Sequence, residues 1–441
     1  MQTLEHLNAR GERARLFPVL SECSKEGRTL SIVLATMARV PEFAAELLKA
    51  AGRRPGARTK VEAFTEVSFP KIKTANFRPD GLLVVDTGRT IWKAFVEAKI
   101  GNETLKQAQL ENYLRLARDV GVDAVITFSN EFAALPEHHP TQVDQRLTKK
   151  IELLHFSWFS VLTMINLLAE NEEVSDDDHV FLLHELERFL LHKSAGMKRF
   201  DSMGTEWTRA LDTIRTGAPL SKSSADVVGV AANWQPELRD MCLLLSRKTS
   251  ANVDLKLAAK HRSDPRGRLK ADCLSIAEYG CLSASIDVAD AAAPIDIEVD
   301  LTTRTIRVSM KLTAPGDKVQ QRSRLNWLLR QLDEQEGDDI RILCNWPGRA
   351  PQTVSTLKQA RDDESLHSHP DKSMLPNSFV VMKLMTDGRK FSGRKTFVDC
   401  FEELVVEDFY GTIVEQLAAW QPPARKLRPA VEEVSADNEP T

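Results

Sequence analysis

The chain has 441 residues, of which 42% are hydrophobic and 28% charged, with 20 glycines and 20 prolines. This composition excludes a mainly disordered, collagen-like or coiled-coil protein. At roughly 150 residues per domain, the length predicts two or three globular domains. The net charge of −4 is unevenly distributed, because residues 1–150 are net basic and the remainder is net acidic.

The sequence predicts neither a membrane span nor a secretory signal. The most apolar stretch, residues 156–169, is interrupted by polar side chains and is shorter than the roughly 20 apolar residues of a span. The N-terminus is charged and lacks an apolar signal core. Reduced thiols are expected, since no CxxC pair occurs among Cys23, Cys242, Cys273, Cys281, Cys344 and Cys400. We therefore expect a cytoplasmic protein without a membrane partner.

The N-terminal part of the chain predicts helices followed by strands. Hydrophobic spacing predicts helices through residues 1–50, and Pro41 opens the second of them. Alternating residues predict a strand over 61–67. A hairpin is predicted with strands over 82–85 and 91–100.

The next elements complete a first domain over residues 1–195. Periodicity predicts an amphipathic helix over 104–120, and an unbroken apolar run predicts a buried strand over 124–128. A strand over 151–156 and two helices, over 158–169 and 180–192, follow. Strands with helices before, between and after them predict an α/β domain.

The second half predicts a different, α+β domain. Residues 196–225, with Gly, Pro, Ser and Lys, predict a linker, and the domain itself is expected over 226–422. The acidic tail over 423–441 predicts disorder. The clearest elements of the domain are a strand pair over 295–301 and 306–312, a helix over 318–332, a strand over 340–344 and a last helix over 397–420.

Charged residues converge at one end of the predicted hairpin. Asp80 begins one strand, and Glu97 and Lys99 share one face of the next. Two acids that face one cavity are costly unless a cation lies between them. Mg²⁺ binds through one or two carboxylates together with substrate phosphate and water. Gln109 and Tyr113 lie four residues apart on the following helix, and therefore on one face that can look towards the same site.

This order of motifs resembles the PD-(D/E)xK nuclease superfamily. The matching residues are Pro79-Asp80, then Glu97-Ala98-Lys99, then Gln109-Leu110-Glu111-Asn112-Tyr113, which fits the Q-h-x-x-Y element of the RecB-type and related branches. The resemblance covers about residues 30–195. It implies a restriction-endonuclease-like core, a mixed sheet flanked by helices, that acts on DNA with Mg²⁺, or with Mn²⁺ instead.

The resemblance also implies a role for each matching residue. Asp80 and Glu97 would be metal ligands, the Ala98 carbonyl a third ligand, and Lys99 the catalytic base or a positioning group. The superfamily places a further acid upstream of the aspartate. Glu66, Glu62 and Glu46 are the candidates, and Glu66 is favoured because its strand leads towards the Asp80 end.

A basic stretch precedes these motifs. Six of its side chains are candidate contacts to nucleic-acid phosphates, namely Arg53, Arg54, Arg58, Lys71, Lys73 and Arg78. A solvated loop explains the same charges without a partner.

From the resemblance we expect Mg²⁺-dependent cleavage of DNA, in defence against foreign DNA or in its processing. The first alternative is a catalytically inactive nuclease-fold protein that binds nucleic acid or another protein. The second is a scaffold whose acids and lysine pair only with each other. RNA as the substrate and a homodimeric state both stay open.

Overall fold

The computed structural model describes residues 2–4, 9–18, 25–69, 78–133, 135–171, 173–332 and 335–422. The chain divides into two compact units. The first comprises Met1–Met310 and Met382–Glu415, and the second comprises Lys311–Val381 and Gln416–Thr441. The candidate site residues from Asp80 to Tyr113 and the described residues of the basic stretch belong to the first unit.

The first unit contains a seven-stranded sheet whose strands are adjacent in chain order: β1 (Gln2–Leu4), β2 (Ala9–Arg13), β3 (Lys60–Ser68), β4 (Gly81–Asp86), β5 (Ile91–Ala98), β6 (Ala124–Ser129) and β7 (Glu152–Ser157). Strands β1 to β5 form antiparallel pairs, whereas β5, β6 and β7 pair in parallel. The predicted hairpin is confirmed as β4 and β5. The predicted buried strand is confirmed as β6, all of whose residues are buried.

Helices cover both faces of this sheet: α1 (Lys25–Arg39), α2 (Pro41–Ala50), α3 (Gln107–Val120), α4 (Trp158–Glu170) and α5 (Asp177–Leu191). Helices α1, α2, α4 and α5 share one core with Leu83, Val96 and Ile126. Helix α3 packs on the opposite face, against Phe95 and Val125. The expected mixed sheet flanked by helices is present, and neighbouring residues of β5 point to opposite faces.

The prediction of helices from residue 1 is wrong for residues 2–4 and 9–13, which form β1 and β2. Strand β2 alternates buried Ala9 and Gly11 with exposed charged residues, and it pairs with β3, which lies far along the chain. Tertiary pairing of this kind overrides the helix propensity of a short charged segment. The predicted helix over 104–120 begins later, at Gln107.

The segment over 196–225, predicted as a linker, contains the helix α6 (Thr205–Arg215). Its Trp207 is fully buried, lies 4.2 Å from the ring of Phe397 and donates a hydrogen bond to the Phe391 carbonyl. The Gly and Ser residues therefore mark turns around a packed helix. The following helix, α7 (Ala225–Thr249), contacts α4 within the same unit.

A second, antiparallel sheet follows α7. Within it, strands β8 (Val253–Leu255), β9 (Cys281–Val288), β10 (Ile295–Asp300) and β11 (Thr305–Thr313) pair in chain order. Helices α8 (Ala259–Ser263) and α9 (Pro265–Tyr279) connect the first two of these strands. The predicted strand pair is confirmed as β10 and β11, with Ile297 opposite Val308 on the buried face.

The remaining elements are α10 (Gln321–Leu329), β12 (Ile340–Asn345), β13 (Thr353–Thr356), α11 (Leu357–Asp362), β14 (Ser378–Met385), α12 (Gly388–Ser392) and α13 (Arg394–Glu402). The predicted helix over 397–420 is wrong in its extent. Helix α13 continues as wider π-helical turns over Glu403–Tyr410, and Gly411 ends them. The helix predicted over 318–332 is shorter as well and corresponds to α10 with one 3₁₀ turn. The tail over 423–441 lies outside the described residues.

None of the described helices combines the length and the apolar character needed to cross a bilayer. The five cysteines within the described residues are unpaired: Cys242, Cys273, Cys281, Cys344 and Cys400.

Candidate functional site

The hairpin of β4 and β5 positions the two predicted carboxylates. Asp80 directly precedes β4, and Gly81 lies opposite Val96 on β5. The Ala98 N–H donates a hydrogen bond of 3.0 Å to Asp80 Oδ2. Gly81 lets α1 and β3 approach the start of β4 closely, because a Cβ atom there would lie 2.8 Å from Leu34 Cδ1 and 3.2 Å from the Phe64 carbonyl oxygen.

Glu97 is the buried acid of the site, with only 1% of its surface exposed. Its Oε1 accepts a hydrogen bond from Gln109 Nε2 at 2.6 Å and forms an ion pair with Lys99 Nζ at 2.9 Å. Its Oε2 is buried and has no hydrogen-bond partner among the described residues. A buried carboxylate oxygen without a partner is costly, which is a chemical reason to expect a cation or a donor at this position.

Lys99 lies between two acids and is held by its backbone. Its N–H donates to the Phe128 carbonyl at 2.8 Å, and the Trp158 indole donates to its carbonyl at 2.7 Å. Its Nζ is 3.4 Å from Glu26 Oε2 as well as 2.9 Å from Glu97. Burial alone lowers the pKa of Lys99, but Glu97 and the other acids outweigh it and raise the pKa above its ordinary value. Lys99 is therefore a cation at neutral pH.

Asp80 has the opposite electrostatic balance. Burial, followed by repulsion from Glu97, raises the pKa of Asp80 from 3.8 to about 7, although the Ala98 N–H and Lys99 oppose this rise. The Asp80 carboxyl of the metal-free chain is thus only partly ionised near neutral pH. A bound cation would favour its ionised form.

Gln109 and Tyr113 connect α3 to the acids. Besides its bond to Glu97, Gln109 Nε2 donates to Tyr113 Oη at 3.1 Å, and the Tyr113 hydroxyl donates to the Arg78 carbonyl at 3.2 Å. Burial and the nearby Glu97 raise the pKa of the Tyr113 hydroxyl, which keeps it neutral. The structure therefore brings Asp80, Glu97, Lys99, Gln109 and Tyr113 into one network.

Among the proposed upstream acids, only Glu66 lines the same cleft as Asp80. There Glu66 forms an ion pair with Arg78. Glu62 instead pairs with Arg13, and Glu46 pairs with Lys49 on α2.

Glu26, in the first turn of α1, is the acid that approaches Lys99. Sequence reasoning missed Glu26. The only available signal was its position at the start of a helix before the sheet. The sequence around Glu26 does not indicate where the start of that helix lies relative to β5.

The backbone at Glu66 has an unusual conformation. Its φ of 56° lies in the left-handed region, which non-glycine residues rarely adopt. The register of β2 and β3 shifts at this point, which indicates a β-bulge. Bulges and strained residues are frequent beside active sites because they redirect a side chain. Here the bulge places Glu66 on the wall of the cleft.

The cleft has a volume of about 520 Å³ and carries charges of both signs. Asp80, Glu26 and Glu66 supply acids, and the cations on its wall include Arg15 and Lys25. Neither the Arg15 guanidinium nor the Lys25 ammonium has a hydrogen-bond or ion-pair partner among the described residues.

Of the six basic residues proposed for nucleic-acid contact, Arg78 lines this cleft. Lys71 and Lys73 lie outside the described residues. Arg53, Arg54 and Arg58 lie just before β3, whose first residue pairs with the far end of β4. The start of β3, which these arginines precede, is therefore about 17 Å along the strands from the Asp80 end of β4, at roughly 3.3 Å per residue.

Arg53 is also engaged elsewhere, because it pairs with Glu152 and lies 5.1 Å from the centre of the Trp92 ring. The structure thus does not bring these three arginines to the carboxylates.

A metal at this site would have few protein ligands. No group of three or more His, Cys, Asp or Glu side chains within the described residues is arranged to hold a metal ion. Asp80 and Glu97 form a pair of carboxylates, which is the number that Mg²⁺ commonly takes from a protein when substrate and water complete its shell.

No protein-family model and no curated protein matches this chain. Function must therefore be argued from the geometry and charge of the site.

Proposed function

We propose that this protein is a metal-dependent deoxyribonuclease of the PD-(D/E)xK type, with its active site at Asp80, Glu97 and Lys99. The observation that carries the proposal is the buried Oε2 of Glu97, which has no hydrogen-bond partner within the described part of the chain. This holds although Lys99 pairs with Oε1 of the same carboxylate and Asp80 is close enough to be repelled by it. A structural ion pair would satisfy its buried oxygens, whereas a site for a cation and a phosphodiester would leave one free.

The residues present fit a hard divalent cation, Mg²⁺ or Mn²⁺. Asp80 and Glu97 would hold it together with the Ala98 carbonyl, which follows Glu97 on the same strand. When bound, such an ion activates water and stabilises the charge of the phosphodiester in the transition state.

Lys99 acts in this proposal as a cation and not as a base. Its raised pKa keeps a proton on Nζ, so it donates to the reacting phosphate or orients the attacking water. Gln109 and Tyr113 hold the Glu97 carboxylate and the Arg78 backbone in place. Glu26 shares Lys99 with Glu97 and thereby limits where the ammonium can lie.

Arg15 and Lys25 on the cleft wall have no side-chain partner among the residues that the structure describes. They suit a polyanion, to which they would contribute affinity without sequence information. DNA is the proposed substrate, and the resemblance supports a role in defence or in the processing of foreign DNA in the cytoplasm. A homodimer is compatible with this proposal.

Cleavage assays with and without Mg²⁺ test the proposal. Linear, circular and single-stranded DNA, together with RNA, should be incubated with the wild-type chain in Mg²⁺ or EDTA. We expect Mg²⁺-dependent cleavage that the Lys99→Ala variant loses while it keeps its fold. Lys93→Ala is the matched control, because Lys93 lies on the same strand but at its opposite end. Undiminished cleavage by Lys99→Ala would contradict the assignment.

A second candidate function is a nuclease fold without catalysis. The contacts of Lys99 with both Glu97 and Glu26 favour it, since the acids already have an internal counter-charge. Calorimetry with Mg²⁺ separates the two candidates. The nuclease should bind Mg²⁺ in a manner that Asp80→Ala and Glu97→Ala abolish, whereas the inactive protein should show no such binding.

A further inference from the structure

An apolar groove adjoins the proposed active-site cleft. It has a volume of about 500 Å³ and lies between the segment over residues 14–18, α1 and α5. Phe17 and Phe181 are 89% and 63% exposed, and Phe189 lines the groove beside them. Two aromatic rings that face water so fully offer flat apolar surfaces for a ligand.

The groove and the cleft share one wall. Arg15 and Pro18 line the cleft, whereas Leu16 and Phe17 line the groove. Helix α1 contributes to both in the same way, with Ser31 in the cleft and Ile32 in the groove. A ligand that occupies the cleft therefore lies beside the groove.

Hydrogen bonds anchor this shared wall. The Ala14 N–H donates to the Ala63 carbonyl on β3 at 2.9 Å. The buried Ser31 hydroxyl accepts from the Arg15 N–H at 2.9 Å and donates to the Arg15 carbonyl at 3.0 Å. Phe17 is thus attached, two residues away, to a backbone fixed both to the sheet and to α1.

We propose that this groove binds unpaired bases of the substrate strand, so that the enzyme acts on single-stranded or frayed DNA. This inference rests on the proposed function, because it requires a nucleic-acid backbone in the cleft. With phosphates near Arg15 and Lys25, the attached bases lie beside Phe17 and Phe181. Every base has a π-face that stacks on an aromatic side chain. Bases within an intact duplex are already stacked and paired, and cannot enter.

Fluorescence anisotropy with a labelled single strand and the same sequence as a duplex tests this. All proteins carry Lys99→Ala to prevent cleavage, and Mg²⁺ is present. We expect the single strand to bind more tightly than the duplex. Phe17→Ala and Phe181→Ala should each weaken single-strand binding about 10-fold, with little effect on the duplex. Phe17→Trp should preserve it. The matched control is Tyr279→Ala, since Tyr279 is 71% exposed and lies at the end of α9.

The failures are distinguishable. If the chain binds no nucleic acid at all, the proposed function fails together with this inference. If the chain binds single-stranded and duplex DNA equally well, and the Phe17 and Phe181 variants bind as tightly as the parent protein, this inference alone is overturned. If those variants leave DNA binding intact but abolish a dimer seen by light scattering, the groove is a contact between copies of the chain and the inference is again overturned.

Discussion

Replacing Asp80 by asparagine should stabilise the metal-free protein at neutral and alkaline pH. Burial, followed by repulsion from Glu97, raises the pKa of Asp80 from 3.8 to about 7, so the folded chain holds this proton more tightly than the unfolded chain. This difference corresponds to about 4 kcal/mol when the carboxyl is ionised, at about 1.4 kcal/mol per pKa unit. Because the side chain is not fully buried, screening by solvent leaves about 2 kcal/mol.

The sign of the pH dependence follows from the same values. A carboxyl whose pKa is higher in the folded than in the unfolded chain stabilises the folded state while it is protonated, and this contribution is fully present below the unfolded pKa. It is lost as pH rises through the folded pKa. The advantage of Asp80→Asn should therefore be absent near pH 4, grow between pH 4 and 7, and level off above. The amide oxygen can still accept the Ala98 N–H that now bonds to Oδ2.

Urea unfolding followed by circular dichroism, in EDTA at several pH values, measures this effect. Glu62→Gln is the control, because Glu62 is half exposed and pairs with Arg13 at the surface, where changes usually stay within about 0.5 kcal/mol. If Asp80→Asn is no more stable than wild type at pH 8, burial and the repulsion from Glu97 do not penalise the ionised Asp80 carboxylate as the structure indicates. Added Mg²⁺ should stabilise the wild type and not the variant.

Three further predictions concern the support of the site and its substrate. Gln109→Ala should lower cleavage about 10- to 100-fold in a kinetic assay, because it removes a bond that orients Glu97; a loss as complete as that of Lys99→Ala would assign it a direct role. Gly81→Ala should destabilise the protein by about 1 to 3 kcal/mol in urea unfolding, since the new methyl group meets Leu34 and the Phe64 carbonyl; unchanged stability would show that this approach is not tight. Replacing Arg15 and Lys25 by alanine should reduce the magnitude of the slope of log K for DNA binding against log salt by about 0.7 per lost phosphate contact on a single strand. Replacement of the distant and exposed Arg54 and Arg58 should leave this slope unchanged.

The part of the site that could be predicted depends on local geometry. Strand alternation alone places Glu97 and Lys99 on one face, and a tight hairpin fixes Asp80 opposite them. The spacing of Gln109 and Tyr113 on α3 places both on one helix face, and the structure directs that face at Glu97. These relations extend over few residues, and a sequence pattern is sufficient to state them.

The part that could not be predicted depends on pairing between distant segments. Strand β2 has only charged residues and two small ones, so no apolar alternation distinguishes it from a helix, and its partner β3 begins after residue 59. Because β2 could not be predicted, the cleft wall formed by the following segment, which carries Arg15, could not be predicted either. The same omission hid Glu26, whose distance from Lys99 depends on how α1 follows that wall.

The basic stretch shows the converse error. Arg54 and Arg58 are close in sequence to Asp80, but β3 runs between them and Asp80 and pairs antiparallel with β4. Both arginines therefore lie at the end of these strands that is opposite to Asp80. Charge density along a chain indicates a binding surface only when the fold brings those charges to one place. In this unit Arg13, Arg15 and Lys25, which precede β3, line the cleft, and Arg78 is the only residue of the basic stretch within the described part of the chain that joins them.

The features of this site that lower stability all occur at one end of the sheet. A buried oxygen of Glu97 has no partner among the described residues, burial and Glu97 raise the pKa of Asp80, and Glu66 adopts a backbone conformation suited to glycine. Each departs from the local rules that the rest of the sheet follows, and such departures concentrate at functional sites. A scaffold needs none of them, since apolar side chains of similar size would stabilise the same hairpin. Three such costs at one end of the sheet therefore support the proposal that a ligand with positive charge, and a substrate with negative charge, complete this part of the molecule.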